Sequence, residues 1–222
     1  MKQLYLNTIS SSLLEVLTQL MRMEDLNLFR LVGGTALSLQ LGHRVSADID
    51  LFTDSEYKSI DYTTIEHLLK KTFPYAEMLY VGNESFGKSC YIGKNKNEAI
   101  KLDLFYTDSF IRPIIEKDFI RMASIEEIAA MKMEVIRRSG RKKDFWDIHE
   151  LLDYLSLEQI LALHAERYPY SNSQEVLINK LVDFQFADDD FNPICLKGKY
   201  WELIKEDFYD LIQNKPKNAI IL

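Results

Sequence analysis

Cysteine is almost missing from this sequence. There are two in 222 residues, Cys90 and Cys195, far apart and with no partner at metal-binding or redox spacing. That excludes a disulfide framework and a cysteine–zinc module, and it fits a reducing compartment. Neither cysteine has a neighbouring base, so thiolate catalysis is not supported. Glycine (8) and proline (5) are also scarce, while 47% of the residues are hydrophobic. Long disorder is therefore not expected, and a packed core is. No run approaches the roughly 18 apolar residues of a membrane span. The start, Met1 to Leu6, is not followed by an apolar signal core. The chain reads as a cytoplasmic protein with no membrane partner. It has no internal repeat, no Gly-x-x-x-x-Gly-Lys-Ser/Thr loop and no kinase motif set. An excess of positive charge is lacking too. The formal net charge is −7, which excludes non-specific coating of nucleic acid and leaves only a local basic patch for that purpose.

What is present changes character along the chain. Residues 10–24 have the period of an amphipathic helix, with Leu13, Leu14, Leu17, Leu20 and Met21 recurring and Ser10 to Ser12 offering caps. A short strand is expected at 28–32, a break at Gly33-Gly34, and a helix over 35–41 that stops at Gly42. Residues 47–53 alternate as a strand, with Ile49, Leu51 and Thr53 on one face and Asp48, Asp50 and Phe52 on the other. A helix over 62–73 and strands over 77–81, 86–92 and 99–106 follow, separated by Gly-Asn and Gly-Lys-Asn-Lys-Asn turns. After Pro113 the pattern becomes helical throughout. Ser124 and Glu127 form a capping box for a helix over 125–138, Ser139-Gly140 stops it, and four further helices are expected over 143–154, 156–167, 173–184 and 200–213. The reading is α+β: a mixed sheet with flanking helices over residues 1–118, then a helical region over 119–222.

Three aspartates carry the chemistry. Asp48 and Asp50 stand two apart on a strand, so their carboxylates point to one side. Asp103 lies in another alternating segment, Ile100 to Phe105, which a neighbouring strand position would bring to the same spot. Clustered carboxylates repel one another unless a cation neutralises them. Hard oxygen donors select Mg²⁺ or Mn²⁺, ions that also bind substrate phosphates. The Gly33-Gly34-Thr35 turn opens a helix, where free N–H groups favour phosphate oxygens and glycine permits close approach. Each part alone is ordinary: Gly-Gly is usually a turn, and Asp-x-Asp is commonly a solvated strand face. Their ordered combination on a strand that looks central is much rarer, because carboxylates there need a reason.

Gly33-Gly34-Thr35-Ala36-Leu37 followed by Arg44-Val-Ser46-Ala-Asp48-Ile-Asp50-Leu-Phe52 resembles the signature of the AbiEii-type nucleotidyltransferase toxins, a branch of the polymerase-β-like superfamily. The resemblance implies that Asp48 and Asp50 bind metal, that Gly33, Gly34 and Thr35 hold a triphosphate, and that Asp103 is a third acid acting on the acceptor hydroxyl. Arg44 and Ser46 match family positions near the site. A second block, Lys132 with Arg141-Lys-Lys-Asp144-Phe-Trp-Asp147-Ile, is similar to the family's C-terminal motif. It implies that Lys132 contacts the nucleotide and Asp144 supports the site. Read without the family, Lys132 and Asp147 are equally an interhelical salt bridge. The basic run Arg137, Arg138, Arg141, Lys142 and Lys143 reads as a solvated surface or as a patch for RNA phosphates. His149 is the histidine best placed for a site role, and Asp188 to Asp190 read as a loop. The expected activity is transfer of a nucleoside monophosphate from an NTP to a hydroxyl acceptor, Mg²⁺-dependent. The resemblance suggests tRNA as acceptor and an antitoxin protein as partner. The alternatives are a non-catalytic nucleotide- or RNA-binding module on the same fold, an interaction protein with a salt-bridged acidic face, and a phosphotransferase that moves the γ-phosphate.

Overall fold

A computed structural model describes residues 3–79, 86–171 and 173–213. The chain divides into two compact units, Met1–Ser124 and Ile125–Leu222.

The first unit is built on a seven-stranded mixed sheet. Helix α1 (Ser11–Met21) begins where the Ser10 hydroxyl accepts the Leu13 N–H at 3.1 Å. Its buried stripe is Leu13, Val16, Leu17, Leu20 and Met21, the apolar period visible in the sequence. Strand β1 is only Arg30–Leu31 and runs directly into α2 (Gly33–Leu41). That helix stops at Gly42, whose left-handed φ of 69° suits a residue without Cβ. Then come β2 (Ile49–Thr53) and α3 (Tyr62–Thr72). The Asp61 side chain caps α3 through the Thr63 and Thr64 N–H groups. Strands β3 (Tyr75–Leu79), β4 (Gly87–Gly93) and β5 (Ile100–Tyr106) complete the alternating segments read from the sequence. The expected end of β3 at Val81 and the Gly82-Asn83 turn lie outside the described residues.

A hairpin of β6 (Ile115–Lys117) and β7 (Ile120–Met122) also joins this sheet. Nothing in the sequence marks it, because three residues per strand carry too little alternation to register. Its β7 pairs in parallel with β1 through Leu31 and Met122. Position 118, where the sequence reading placed the change from sheet to helices, is the hairpin turn itself. The strand order is β3-β4-β5-β2-β1-β7-β6, with β2–β5 and β1–β7 parallel and the remaining pairs antiparallel. Helices α1 and α3 pack against the sheet, and Ile49, Leu51, Leu102, Leu104, Cys90 and Ile92 form the buried side of its strands.

The second unit is helical: α4 (Ile125–Arg137), α5 (Lys142–Leu151), α6 (Leu157–Arg167), α7 (Gln174–Lys180) and α8 (Trp201–Gln213). Helix α4 packs on α5, α6 and α7, and α5 packs on α8. The capping box expected at Ser156 and Gln159 is present. Phe145 of α5 makes edge contacts with Phe184, Trp201 and Phe208, so the aromatics of residues 184–208 form the core here. Among the described residues no helix is long and apolar enough to cross a membrane.

Candidate functional site

Strands β2 and β5 run parallel with Asp50 opposite Asp103 and Phe52 opposite Phe105. Side chains of register partners share a face. The two aspartates predicted from separate segments are therefore neighbours across one strand pair, both half-buried. Asp48 lies just before β2, also half-buried, two residues from Asp50. The opposite face of these strands is sealed, with Ile49, Leu102 and Leu104 at 0% exposure. The acids occupy the accessible face of a strand pair whose other side is core.

The glycine turn meets this row. Gly33 has φ +67°, and a Cβ there would sit 2.7 Å from Asp50 Oδ2. The position therefore needs glycine twice over, for its backbone and for its closeness to the carboxylate. A Cβ on Gly34 would fall 2.2 Å from a terminal nitrogen of Arg44. Arg44 is 3% exposed and donates to the Val45 carbonyl at 3.1 Å. The N-cap of α2 is Val32, which has no side-chain acceptor, and the first turn contains no acid. The negative group at this helix start is thus the Asp50 carboxylate, brought in from β2, with the Arg44 guanidinium close by.

Thr35 and Ser46 link the start of α2 to the approach to β2. Thr35 is 1% exposed. Its hydroxyl donates to the Asp48 carbonyl and lies 2.9 Å from the Ser46 hydroxyl. The Ser46 N–H in turn donates to the Thr8 carbonyl at 2.8 Å. The Thr35 side chain thus ties α2 to the approach to β2 at Asp48.

The sequence reading missed two partners of Asp103. Ser89 of β4, opposite Asp103 in register, donates its hydroxyl to the carboxylate. Lys101, two residues before Asp103 on the same face, donates to it at 2.5 Å. Burial disfavours the Lys101 ammonium. The hydrogen bond and charge of Asp103, together with the charges of Asp50 and Asp48, outweigh that and raise its pKa. Lys101 could have been found from its i, i+2 relation to Asp103; Ser89 could not, because it depends on strand register. Among the described residues no three His, Cys, Asp or Glu side chains gather closely enough to hold a metal ion. The expected three-aspartate cluster is thus realised as an adjacent pair, Asp50 and Asp103, with Asp48 beside them and Asp103 engaged by a lysine. Carboxylate oxygens are the hard donors that Mg²⁺ or Mn²⁺ takes, and the charges of all three aspartates act on the Lys101 ammonium.

In the second unit, Lys132 is 6% exposed and pairs with Asp144 at 2.6 Å and Asp147 at 2.7 Å. The interhelical Lys132–Asp147 salt bridge read from the sequence is present, and Asp144 joins it in one buried cluster. Asp144 also accepts the Arg141 N–H at 2.9 Å and so begins α5. The basic run is largely spent on internal pairs. Arg137 and Arg138 bind Glu134, and Arg141 binds Asp190 with two hydrogen bonds. The Lys142 ammonium lies over the Trp201 ring and donates to the Asp188 carbonyl. His149 contacts Asp207 and Lys199, and Asp188 accepts from Trp201 and Lys205. The acidic loop and the histidine are thus tied into this unit by hydrogen bonds.

Relatives share this architecture over nearly the whole chain. An uncharacterized protein of Aquifex aeolicus is 28% identical over 219 residues, covering 92% of this chain and 96% of its own. Two Helicobacter pylori structures superpose with a TM-score of 0.58 each. They are JHP933, at 19% identity over 94% of this chain and 90% of its own, and a candidate nucleotidyltransferase, at 16% over 90% of both. The second of these shows the nucleotidyltransferase fold for this chain. The family model described as the nucleotidyl transferase AbiEii toxin of type IV toxin–antitoxin systems matches residues 15–215. The chain, with its glycine-opened helix beside a strand-borne pair of aspartates, therefore belongs to the AbiEii nucleotidyltransferase toxin family.

Proposed function

We propose that this protein transfers a nucleoside monophosphate from an NTP to a hydroxyl acceptor and releases pyrophosphate. The observation that carries the reading is the register of Asp50 with Asp103 beside the Gly33 turn. It sets two carboxylates beside a glycine-opened helix start. Asp48 and Asp50 would hold a divalent ion, Mg²⁺ or Mn²⁺, with Asp103 completing the set. Such an ion supplies charge neutralisation at the reacting phosphate and lowers the pKa of an attacking hydroxyl.

The chain's own groups do the positioning. Gly33 and Gly34 present the first-turn N–H groups of α2 to the triphosphate. Thr35 and Ser46 hold Asp48 in place, and Arg44 adds positive charge from beneath Gly34. Ser89 orients the Asp103 carboxylate, which faces the acceptor and takes or directs its proton. Preorganised charge and orientation of this kind supply most of the rate in phosphoryl and nucleotidyl transfer. In keeping with the family, the acceptor is an RNA, tRNA in particular, and the protein is the toxin partner of a separately encoded antitoxin in the cytoplasm.

Asp48→Ala and Asp50→Ala chains, incubated with labelled NTPs, total RNA and Mg²⁺, are expected to lose transfer by at least a hundredfold, the loss of a charge-stabilising group in such a site. Full transfer by both would end the assignment. Pyrophosphate as product separates this reading from γ-phosphate transfer, which yields a nucleoside diphosphate. Slowed growth on induction of the wild type, and normal growth with Asp50→Ala, would support the toxin role.

A further inference from the structure

One strand row beyond the aspartates, the same face of the sheet carries aromatic rings. Phe52 follows Asp50 by two residues and Phe105 follows Asp103 by two, so each ring points to the side of its carboxylate. Phe52 and Phe105 are register partners, and their rings meet edge to face with centroids 6.1 Å apart. Arg30 of β1 stands opposite Phe52 and Gly87 of β4 opposite Phe105, which closes the row at both ends. Arg30 is anchored, with its guanidinium 3.7 Å from the centre of the Phe110 ring and a hydrogen bond to the Arg112 carbonyl. Gly87 makes room for the Phe105 ring, since a Cβ there would come within 2.4 Å of Phe105 Cδ1. Unlike Leu102 and Leu104 on the reverse face, both rings are only partly buried.

Leaving part of two phenylalanine rings in water on a sheet face has a cost, and a flat apolar ligand would relieve it. Rows two residues apart along a strand are separated by about 6.7 Å, a gap that a ribose bridges between a phosphate and a base.

We propose that Phe52 and Phe105 form a stacking step for a nucleobase whose phosphate or ribose hydroxyl lies at the Asp50–Asp103 row. This rests on the transferase reading above and adds recognition of the base by its π-face. Stacking of that kind tolerates every base, because all four present such a face. The base belongs either to the NTP or to the end of a single-stranded acceptor.

The test is equilibrium binding of the full chain, with Mn²⁺ present, to each of the four NTPs, to a short single-stranded RNA oligonucleotide, and to inorganic tripolyphosphate as a base-free control. Wild type is compared with Phe52→Ala, Phe105→Ala, Phe105→Leu and Phe105→Trp. The alanine variants are expected to weaken NTP or oligonucleotide binding about 5- to 150-fold, the range for one aromatic–base stack, with tripolyphosphate affinity unchanged. The arm that weakens identifies whose base is stacked. Phe105→Trp restores binding, whereas Phe105→Leu, which keeps apolar bulk and the fold, does not. The proposal is overturned if leucine binds as well as phenylalanine, if no arm weakens, or if tripolyphosphate binding falls in parallel. Wild type that binds NTP no more tightly than tripolyphosphate, and no RNA, would sink the stacking step alone. Wild type that binds none of the three probes would sink the transferase reading with it.

Discussion

Asp50 and Asp103, 53 positions apart in sequence, stand directly opposite one another on the parallel strands β2 and β5. Two carboxylates on one sheet face repel each other, and the neighbouring ammonium of Lys101, 2.5 Å from Asp103, offsets that repulsion. The Lys101 side chain is 36% exposed, so its pairing contributes on the scale of a surface ion pair.

Replacement of Lys101 by Met should therefore lower stability at neutral pH by roughly 1 kcal/mol. A divalent cation should recover more stability in this variant than in the wild type, because it replaces the missing charge. Thermal unfolding with and without Mn²⁺ measures both effects. Identical response of the two proteins to Mn²⁺ would mean that Lys101 does not share the field of the acids.

Gly33 is held at φ +67° with its α-carbon against the Asp50 carboxylate. Gly33→Ala carries the left-handed penalty of about 1–2 kcal/mol and also pushes on Asp50. Unfolding by urea should show that loss, and nucleotide binding should fall together with it. Ala at Gly198 is the control. It has φ +68° but nothing within 4 Å of a Cβ, so it carries the backbone penalty alone and leaves nucleotide binding intact. Unchanged nucleotide affinity in Gly33→Ala would separate the glycine turn from the site.

Acid should loosen the second unit in two stages. Burial lowers the His164 pKa below its ordinary 6.5, and its contacts with Glu134 only partly oppose that. The unfolded chain therefore takes up a proton more readily than the folded one, and the stability contributed by the neutral ring is lost as pH falls below 6.5. Burial raises the Glu134 pKa, but hydrogen bonds from Arg137, His164 and Arg138 and the charge of Arg137 bring it down to about 2. Its contribution is complete above pH 4.5 and disappears as pH drops from 4.5 towards 2. Urea midpoints measured from pH 7.5 downwards should fall in the wild type. His164→Gln should flatten the upper stage and leave the lower one. A wild-type midpoint constant from neutrality to pH 5 would contradict the buried neutral imidazole.

The period of a strand told which side chains share a face, and so Asp48, Asp50 and Phe52 were assignable together from the order of residues. Helix α1 was readable from its leucine spacing and its serine cap, α2 from its glycine stop, and α6 from Ser156 and Gln159. Lys132 was legible as a cation needing acceptors, because it lies among alanine and methionine in an amphipathic helix. The short hairpin at 115–122 was not legible, and neither was the burial of the Thr35 hydroxyl against Asp48, which depends on how the chain returns from α2 to β2.

The sequence by itself determined the longer helices and strands, the shared side of Asp48 and Asp50, and the glycine turn, because those follow from local period and backbone freedom. Only the tertiary structure decided which strand lies beside which and at what slip. A shift of one residue would turn Asp103 to the opposite face, and a shift of two would set it against Phe52 or Asp48 instead of Asp50. Register is fixed by the packing of Leu51, Leu102 and Leu104 into the core. That choice is made by contacts between distant segments, which no local pattern records.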